Sequence, residues 1–275
     1  MDHDAGIRHH ELSDADREFV RPLLRGRKRV DDRRVPNGTV WKFRTGTAWR
    51  DVPERYGPRV TPHTRFRRWA ADGTFDRMLR APQAKADAAG DIEWLVSVDS
   101  TIVRARQLRP EPEKGAPGPV PRPVQRRPDQ QDPPGLDGRG RPLTFVVTGG
   151  NTNDRTRFTT VMEAIRVPRI GPGRPRIRPE RVVADKGYSS TKIRTYLRRR
   201  GIKAAIPERI DQVNDRIRRG ENLCRLVRAA YRRRNVVEHC FNKLKHNKAL
   251  ATRYDKRARR YQAMVAFACL HLWLP

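Results

Sequence analysis

The first part of the chain carries apolar residues at helical spacing. Ser13 and Asp16 have the spacing of a capping box, which favours a helix that begins here. The apolar residues that follow fall on one face of that helix: Ala15, Phe19, Val20, Leu23 and Leu24. This pattern predicts a helix with one buried stripe near the start of the chain.

A later helix in the same region has a strongly basic outer face. Thr61 is a candidate N-cap before Pro62, and Gly73 is expected to close the helix. Phe66 and Trp69 are predicted to point into a core. The basic residues lie largely off that stripe: His63, Arg65, Arg67 and Arg68. Residues 11–81 are therefore predicted to form a small all-helical domain, whose basic helix either reads DNA or is an ordinary solvated surface.

Beyond a predicted connector at residues 82–92, the pattern changes to short β-type runs separated by helices. The predicted strands are 94–98, 143–147, 182–184 and 202–206. The predicted helices lie around 158–165, 193–197, 223–247 and 261–268. Strands that alternate with helices predict an α/β domain with a partly parallel sheet over residues 93–275.

One stretch of this domain does not fit the pattern. Residues 110–142 contain ten prolines and five glycines and show almost no apolar periodicity. Such composition is typical of a disordered linker, which is our prediction for the Pro-rich segment 107–142.

The charge balance bears on the class of partner. The chain has 61 basic and 31 acidic residues, a net charge of +30, and only 36% hydrophobic residues. No apolar run is long enough for a membrane span, the acidic N-terminus lacks a signal-peptide core, and the three cysteines are expected to be reduced thiols. GC-rich codon usage can account for part of the arginine excess, but a field this positive still favours nucleic acid as partner.

Two aspartates stand directly after apolar strands. Asp99 follows the first predicted strand and Asp185 follows the third. Because open α/β sheets hold their reactive groups at the carboxyl ends of strands, both are candidate site residues. Taken singly, an aspartate at this place is more often a turn former or a helix cap.

The predicted helix 223–247 adds a third carboxylate. Tyr231, Arg234, Glu238 and Lys245 have offsets of 0, 3, 7 and 14 and share a face within about 60° of arc on a continuous α-helix. A carboxylate flanked by Arg and Lys can face a metal and a phosphate together. The alternative from spacing alone is an ordinary amphipathic helix with a salt-bridged glutamate.

These residues resemble the DDE transposases of bacterial insertion sequences, in the superfamily of insertion sequences four and five. The resemblance is greatest to the insertion-sequence-five group. Its Tyr-x₂-Arg-x₃-Glu-x₆-Lys pattern is met by Tyr231, Arg234, Glu238 and Lys245. Asp99-Ser100-Thr101, Asp185-Lys186-Gly187-Tyr188 and Trp49-Arg50-Asp51-Val52-Pro53 also match the family, and the similarity covers about 11–106 and 140–272.

The resemblance implies a ribonuclease-H-like catalytic core preceded by a small helical DNA-binding domain. It implies an enzyme that cleaves and joins DNA with two Mg²⁺ ions, for which Mn²⁺ substitutes. The expected partners are the terminal inverted repeats of the element and the target DNA. They would be bridged by a homodimer or larger complex, free of any membrane, in the bacterial cytoplasm at the nucleoid. The residues that these roles imply are Asp99, Asp185 and Glu238 for metal and catalysis, and Tyr231, Arg234, Lys245, Arg65, Arg67 and Arg68 for DNA.

The Pro-rich segment departs from the family, which has a Gly-Arg-Ser-x-Gly-Gly-Leu-Thr-Thr-Lys-Ile-His-Leu type of strand at that place. One permitted set of codons for residues 122–136, read one base later, encodes Gly-Arg-Ser-Ser-Gly-Asp-Leu-Thr-Ser-Lys-Ile-His-Leu-Ala. We therefore hypothesise two compensating indels around codons 115–137.

Prolines lack the N–H that a central strand donates, so the Asp99 strand is expected to lose a neighbour, with weakened stability and catalysis. The alternative function is a non-catalytic DNA-binding remnant of a transposase. A generic Arg-rich RNA-binding protein would leave the spaced face of Tyr231, Arg234, Glu238 and Lys245 unexplained.

Overall fold

A computed structural model of the chain describes residues 11–24, 33–99, 130–131, 135–148, 154–222, 227–252 and 258–274. Its helices are α1 Asp14–Val20, α2 Arg34–Thr45, α3 Val60–Ala71, α4 Thr74–Ala88, α5 Asp154–Ala164, α6 Thr191–Arg199, α7 Ile210–Arg218, α8 Arg228–Arg232, α9 Val236–Lys245, α10 Lys248–Thr252 and α11 Ala258–Leu270. Its strands are β1 Leu95–Val98, β2 Gln130–Gln131, β3 Gly135–Leu136, β4 Pro142–Thr144, β5 Val147–Thr148, β6 Arg181–Ala184 and β7 Lys203–Ala205.

The N-terminal region is helical, as predicted. Ser13 and Asp16 form the expected reciprocal capping box at the start of α1. The basic helix α3 begins at Val60 rather than after a Thr61 cap, and no side chain caps it. Helix α2 was not predicted, because its sequence places Pro36 and Gly38 in the first half of the helix, where both have low helix propensity.

An aromatic core holds the helical region together and joins it to the end of the chain. Phe66 of α3 lies 5.3 Å, between ring centroids, from both Phe43 and Trp49. Phe43 is also 5.2 Å from Phe267 of α11, the last helix described. Because these rings are buried against one another, the first and last helices share one hydrophobic core.

The connector predicted at 82–92 differs from the structure over residues 82–88, which continue helix α4. Pro82, Gln83 and Ala84 are buried there. The Gln83 amide donates hydrogen bonds to the carbonyl oxygens of Pro142 (3.0 Å) and Leu143 (3.2 Å) in strand β4. The Ala-rich sequence suits a helix as well as a linker, and contact with the sheet decides between them.

A mixed sheet forms the second half of the fold, with strand order β4-β3-β1-β6-β7. Strands β1, β6 and β7 are parallel neighbours, whereas β3 runs antiparallel to β1 and β4 antiparallel to β3. Val96, Ser97 and Val98 of the central strand β1 are all buried. The prediction of a mixed α/β domain is therefore confirmed at this level.

The expectation that the Asp99 strand loses a neighbour is wrong. Strand β3, at Gly135–Leu136, pairs with β1, although these residues belong to the segment 107–142 that was predicted to be disordered. The sequence Pro133-Pro134 ends just before the first paired residue, so β3 retains its N–H donors. Pro142 is tolerated because it is the first residue of the edge strand β4.

The rest of the Pro-rich segment lies outside the described residues, apart from β2, which pairs with β5. The hypothesis of compensating indels concerns this stretch and remains a hypothesis. Sequencing the gene tests it, and an alternative frame without family-like coding would contradict it.

Two further predictions concern thiols and membrane spans. Cys240 and Cys269 are buried free thiols, and Cys224 lies outside the described residues. In the described ranges, no helix combines the length and the apolar character that crossing a membrane requires.

Candidate active site

The register of the parallel strands brings two of the predicted carboxylates to one edge of the sheet. Val98 of β1 is paired with Ala184 of β6. Asp99 follows β1 directly and Asp185 follows β6 directly, so the two aspartates lie at the same, carboxyl end of adjacent strands. Val98 and Ala184 are both fully buried, so the strand ends directly before the two aspartates belong to the core.

Asp99 lies against an arginine from the helical layer. The Arg234 Nη1 atom is 3.4 Å from Asp99 Oδ2, and the Asp99 side chain is only 13% exposed. Arg234 belongs to a 3₁₀ turn, Arg233–Asn235, which joins α8 to α9 and packs on β6. Because little water reaches the pair, the cation offsets a good part of the cost of holding an ionised carboxylate there.

Asp185 is held by the backbone that follows it. Its Oδ1 atom accepts a hydrogen bond of 2.8 Å from the Gly187 N–H and so caps the 3₁₀ turn Lys186–Tyr188. A Cβ atom at position 187 would itself lie 2.8 Å from that oxygen, so any larger residue would displace the carboxylate. Asp185 Oδ2 has no hydrogen-bond partner within the described ranges. One oxygen thus fixes the side chain, and the other remains available.

Glu238 does not join these aspartates in a metal-binding cluster. It lies in the first turn of α9 and is exposed to solvent, while its neighbour Val237 is buried where α9 packs on β1. Across the part of the chain that the structure describes, no three His, Cys, Asp or Glu residues are arranged to hold a metal ion. The structure therefore brings two of the three predicted ligands together and leaves the third outside.

The predicted continuous helix 223–247 is broken. Residues 228–245 form α8, the 3₁₀ turn and α9 in succession, and 223–226 lie outside the described residues. A 3₁₀ turn advances about 120° per residue instead of about 100°, so its three residues add about 60° to the rotation between Tyr231 and Glu238. Glu238 and Lys245 still share a face of α9, and both are exposed. Tyr231 is half-buried beside Val183 and Ala205.

Sequence reasoning missed the arginine next to Arg234. Arg233 donates hydrogen bonds to both carboxylate oxygens of Glu93, which precedes β1, and to the Gly138 carbonyl at 3.1 Å. Two consecutive arginines therefore reach opposite ends of the same strand. The one sequence signal for the contact between Arg233 and Glu93 is that Glu93 is an acidic residue just before a predicted strand. No spacing rule connects it with a residue 140 positions away.

The predicted DNA-binding residues of α3 lie on its outer side. Arg67 and Arg68 are exposed and Arg65 is half-buried, whereas Pro62, Phe66 and Trp69 of the same helix are buried. The helix thus separates its basic and apolar residues, as the sequence pattern predicted.

Comparison with known proteins gives the family of the chain. A family model described as the transposase DDE domain matches residues 91–273. A second one, described as a transposase of the IS4/5 family, matches residues 12–79. The chain belongs to the DDE transposases of the IS4/5 family. The resemblance stated from the sequence is therefore confirmed.

Individual relatives agree with this assignment. The transposase is 32% identical, over 74% of its own chain and 87% of the relative, to a Burkholderia cepacia protein assigned as the transposase of insertion sequence element IS402. It is 39% identical, over 33% of its chain and 70% of the relative, to the uncharacterized protein y4sN of Sinorhizobium fredii. An uncharacterized 16.2 kDa protein of insertion element IS402 from Burkholderia cepacia is 37% identical over 29% of the transposase and 56% of that protein. No solved structure gives a significant match.

DDE transposases in general act on DNA and use divalent metals, so the residues of this transposase can be tested for fit. Carboxylate oxygens are the donors that Mg²⁺ prefers. Asp99 and Asp185 supply them at one edge, and Asp185 Oδ2 is free of protein partners in the described ranges. Asp99 is already neutralised by Arg234, which a metal ion would have to displace or share. These two aspartates fit a divalent ion, and Glu238 would need to approach them.

Proposed function

We propose that this transposase cleaves the DNA ends of its insertion sequence and joins them to target DNA, using a metal-dependent site on a ribonuclease-H-like core. The observation that carries the proposal is the register of β1 and β6, which sets Asp99 and Asp185 side by side at the carboxyl edge of the sheet. Membership of the DDE family supplies the general reaction, breakage of nucleic-acid strands.

Asp99, Asp185 and Glu238 would hold two Mg²⁺ ions, with Mn²⁺ as a substitute. When bound, such ions neutralise charge on the attacking and leaving oxygens of a phosphodiester. The residues of the chain then have separate tasks. The cap at Gly187 keeps Asp185 oriented, and α9, which packs on β1, would bring Glu238 to the aspartates when the ions bind.

The basic residues near the site would bind the DNA backbone. Arg234, paired with Asp99 here, can exchange that carboxylate for a phosphate oxygen, because the two acceptors have similar charge and geometry. Lys245, exposed in the last turn of α9, adds a second phosphate contact, while half-buried Tyr231 positions the helix.

Residues 11–81 would bind the terminal inverted repeats through Arg65, Arg67 and Arg68 on α3, and residues 93–275 would perform the chemistry. Such a division suits the net charge of +30, which attracts DNA over a long range. Two ends must be brought together, so we infer at least two protomers in the active complex, acting on the bacterial nucleoid in the cytoplasm.

Cleavage of a supercoiled plasmid that carries the flanking ends of the element tests this function. Full-length protein is incubated with Mg²⁺, and Asp185→Asn serves as the inactive control. We expect cuts at the element boundary that disappear in the variant. Cuts that persist in Asp185→Asn would contradict the assigned site.

A second candidate function is a DNA-binding remnant without catalysis. The observation that favours it is the position of Glu238 outside any three-ligand cluster among the described residues. End-specific binding without cleavage, in the wild type and in Asp185→Asn alike, would select this function over the first.

A further inference from the structure

A basic loop precedes strand β6, at the end of the strand opposite to Asp185. We call residues 168–175 the Gly-Arg-Pro loop, after Gly173-Arg174-Pro175 near its tip. Val167 and Arg176 close its base as an antiparallel bridge, with N–H···O distances of 3.0 and 2.9 Å in the two directions. These two hydrogen bonds hold the ends of the loop together at its base.

Two arginines beside the loop are used to hold it in place. The Arg176 guanidinium lies 4.2 Å from the ring centroid of Trp94, with its Nη1 atom 3.5 Å from Asp87 Oδ1. Arg200 donates a hydrogen bond of 3.1 Å to the Ile177 carbonyl. These contacts hold the loop against the rest of the protein. The charge of Arg176 is paired with Asp87 and the Trp94 ring, so this side chain is not available to a partner.

The other arginines of the segment are exposed and uncommitted. Arg169, Arg174 and Arg178 form no ion pair with any part of the chain that the structure describes. Ile170, next to Arg169, is 64% exposed and adds an apolar side chain to the same surface. Three exposed arginines and one exposed isoleucine thus lie on or directly after a loop whose base is anchored to the rest of the protein.

The tip of the loop is narrow because Gly171-Pro172-Gly173 carries almost no side chain. Gly171 has φ 93° and Gly173 has φ 138°, conformations that L-residues rarely adopt. A Cβ atom at position 171 would meet nothing within 4 Å, so this glycine is required for its backbone angle and not for space. An α-helix is about 10–12 Å across with its side chains, whereas the minor groove of DNA is about 6 Å wide, so a bent loop tip that carries almost no side chains suits it better.

We propose that the Gly-Arg-Pro loop inserts Arg174 into the minor groove of A·T-rich DNA. Narrow A·T minor grooves concentrate negative potential and attract arginine, and arms of this kind commonly read them. Arg169 and Arg178 would contact the flanking phosphates, and Ile170 would pack on a sugar. The inference rests on the proposed function, that the chain acts on DNA, and adds a DNA contact at the opposite end of β6 from Asp185.

The test measures binding of the full-length chain to three duplexes of equal length by fluorescence anisotropy. Their central tracts are A·T, I·C and G·C. Inosine lacks the 2-amino group of guanine, so an I·C pair presents the minor groove of A·T and a major groove like that of G·C. We expect wild-type protein to bind the A·T and I·C duplexes about tenfold more tightly than the G·C duplex.

Two variants and a matched control locate the effect. Arg174→Ala should abolish the preference for A·T and I·C, and Arg174→Lys should retain only part of it, since lysine lacks the planar guanidinium. Arg218→Ala removes one charge from α7, where the side chain is 80% exposed, and should weaken binding to all three duplexes equally. Netropsin, which occupies A·T minor grooves, should compete with wild-type protein and not with Arg174→Ala.

Three outcomes would overturn the inference: equal binding of wild type to all duplexes, I·C behaving like G·C, or Arg174→Ala behaving like Arg218→Ala. If plasmid cleavage still depends on Asp185 in any of these cases, the proposed function stands and only the minor-groove contact fails. A protein that binds none of the duplexes would overturn both.

Discussion

At the N-terminal end of β1 a buried aspartate accepts hydrogen bonds on both carboxylate oxygens, whereas beyond its C-terminal end one oxygen of Asp185 has no partner among the described residues. Asp137, fully buried in the β3–β4 turn, accepts hydrogen bonds from the Arg139 N–H (3.1 Å), the Arg141 N–H (2.7 Å) and the Arg141 guanidinium (2.7 and 2.9 Å). Arg141 also pairs with Asp91 at 2.6 Å and lies 4.2 Å from the Trp273 ring centroid.

At the other end, Asp99 has an arginine at 3.4 Å and Asp185 uses one oxygen to cap a turn. The difference teaches that the same residue types serve two purposes on one strand. Charges that are fully paired hold the hairpin to the sheet, while Asp185, with one oxygen unpartnered among the described residues, keeps the capacity to bind a cation.

The sharpest test of this difference is Asp185→Asn. The asparagine Oδ1 can still accept the Gly187 N–H, so the midpoint of chemical unfolding should stay the same. Cleavage should fall at least about a thousandfold, because a metal site stabilises the transition state by several kcal/mol and about 1.4 kcal/mol corresponds to a factor of ten. Plasmid cleavage and urea unfolding are measured on the same preparation, with Asp215→Asn, an exposed aspartate of α7, as control.

The opposite behaviour is expected of Asp137→Ala. Removing this carboxylate takes away one of the two carboxylates that pair with the mostly buried Arg141 guanidinium, so the free energy of unfolding should fall by about 3 kcal/mol. Cleavage per folded molecule should change little. Urea unfolding checks the first expectation, and Asp211→Ala, which breaks an exposed ion pair with Arg209, should leave the midpoint unchanged. Equal shifts of the urea midpoint in Asp137→Ala and Asp211→Ala would contradict a special stabilising role for the charges at the N-terminal end of β1.

Arg233 contacts the N-terminal end of β1 and Arg234 its C-terminal end, so substituting each in turn compares the two ends of the strand. Arg234→Ala should lower cleavage by about 10- to 100-fold, as expected for a residue that orients a metal ligand, and should also lower stability because Asp99 loses its cation. Arg233→Ala should cost up to about 1 kcal/mol of stability, since its pair with Glu93 is partly exposed, and leave cleavage intact. Both quantities are measured for both variants, and a swapped result would reverse our assignment of their roles.

The smallest expected effect is on the stability of the fold at acidic pH. The pKa of Asp91 is lowered by its hydrogen bond to Arg141 and by the nearby Arg139. Folded Asp91 therefore loses its proton at a lower pH than the unfolded chain does. The pair stabilises the fold above the ordinary aspartate value of 3.8 and loses that contribution as the pH falls below it. Melting temperatures at pH 3 to 6 should fall less steeply with decreasing pH in Asp91→Asn than in the wild type, whereas identical profiles would show that the pair of Asp91 and Arg141 does not stabilise the fold.

Much of the architecture follows from local sequence patterns. The capping box at Ser13 and Asp16, strands β1, β6 and β7, and the apolar spacing of α5 and α11 all depend on neighbours within a few positions, and such signals survive folding largely unchanged. The position of Asp99 and Asp185 directly after strands was predicted in the same way. The sequence also carried the family, since its motifs occur in a fixed order.

Contacts between distant segments were decided only in three dimensions. The 3₁₀ turn at Arg233–Asn235 interrupts a helical pattern that looks continuous, because the chain must send Arg233 to Glu93 and Arg234 to Asp99 across one strand. Residues 82–88 became helix through Gln83 and the carbonyls of β4, and Gly135–Leu136 became a strand because β1 offered unpaired backbone groups beside it. Composition could decide neither case, since backbone pairing and burial depend on which segments meet, and that is a property of the whole fold.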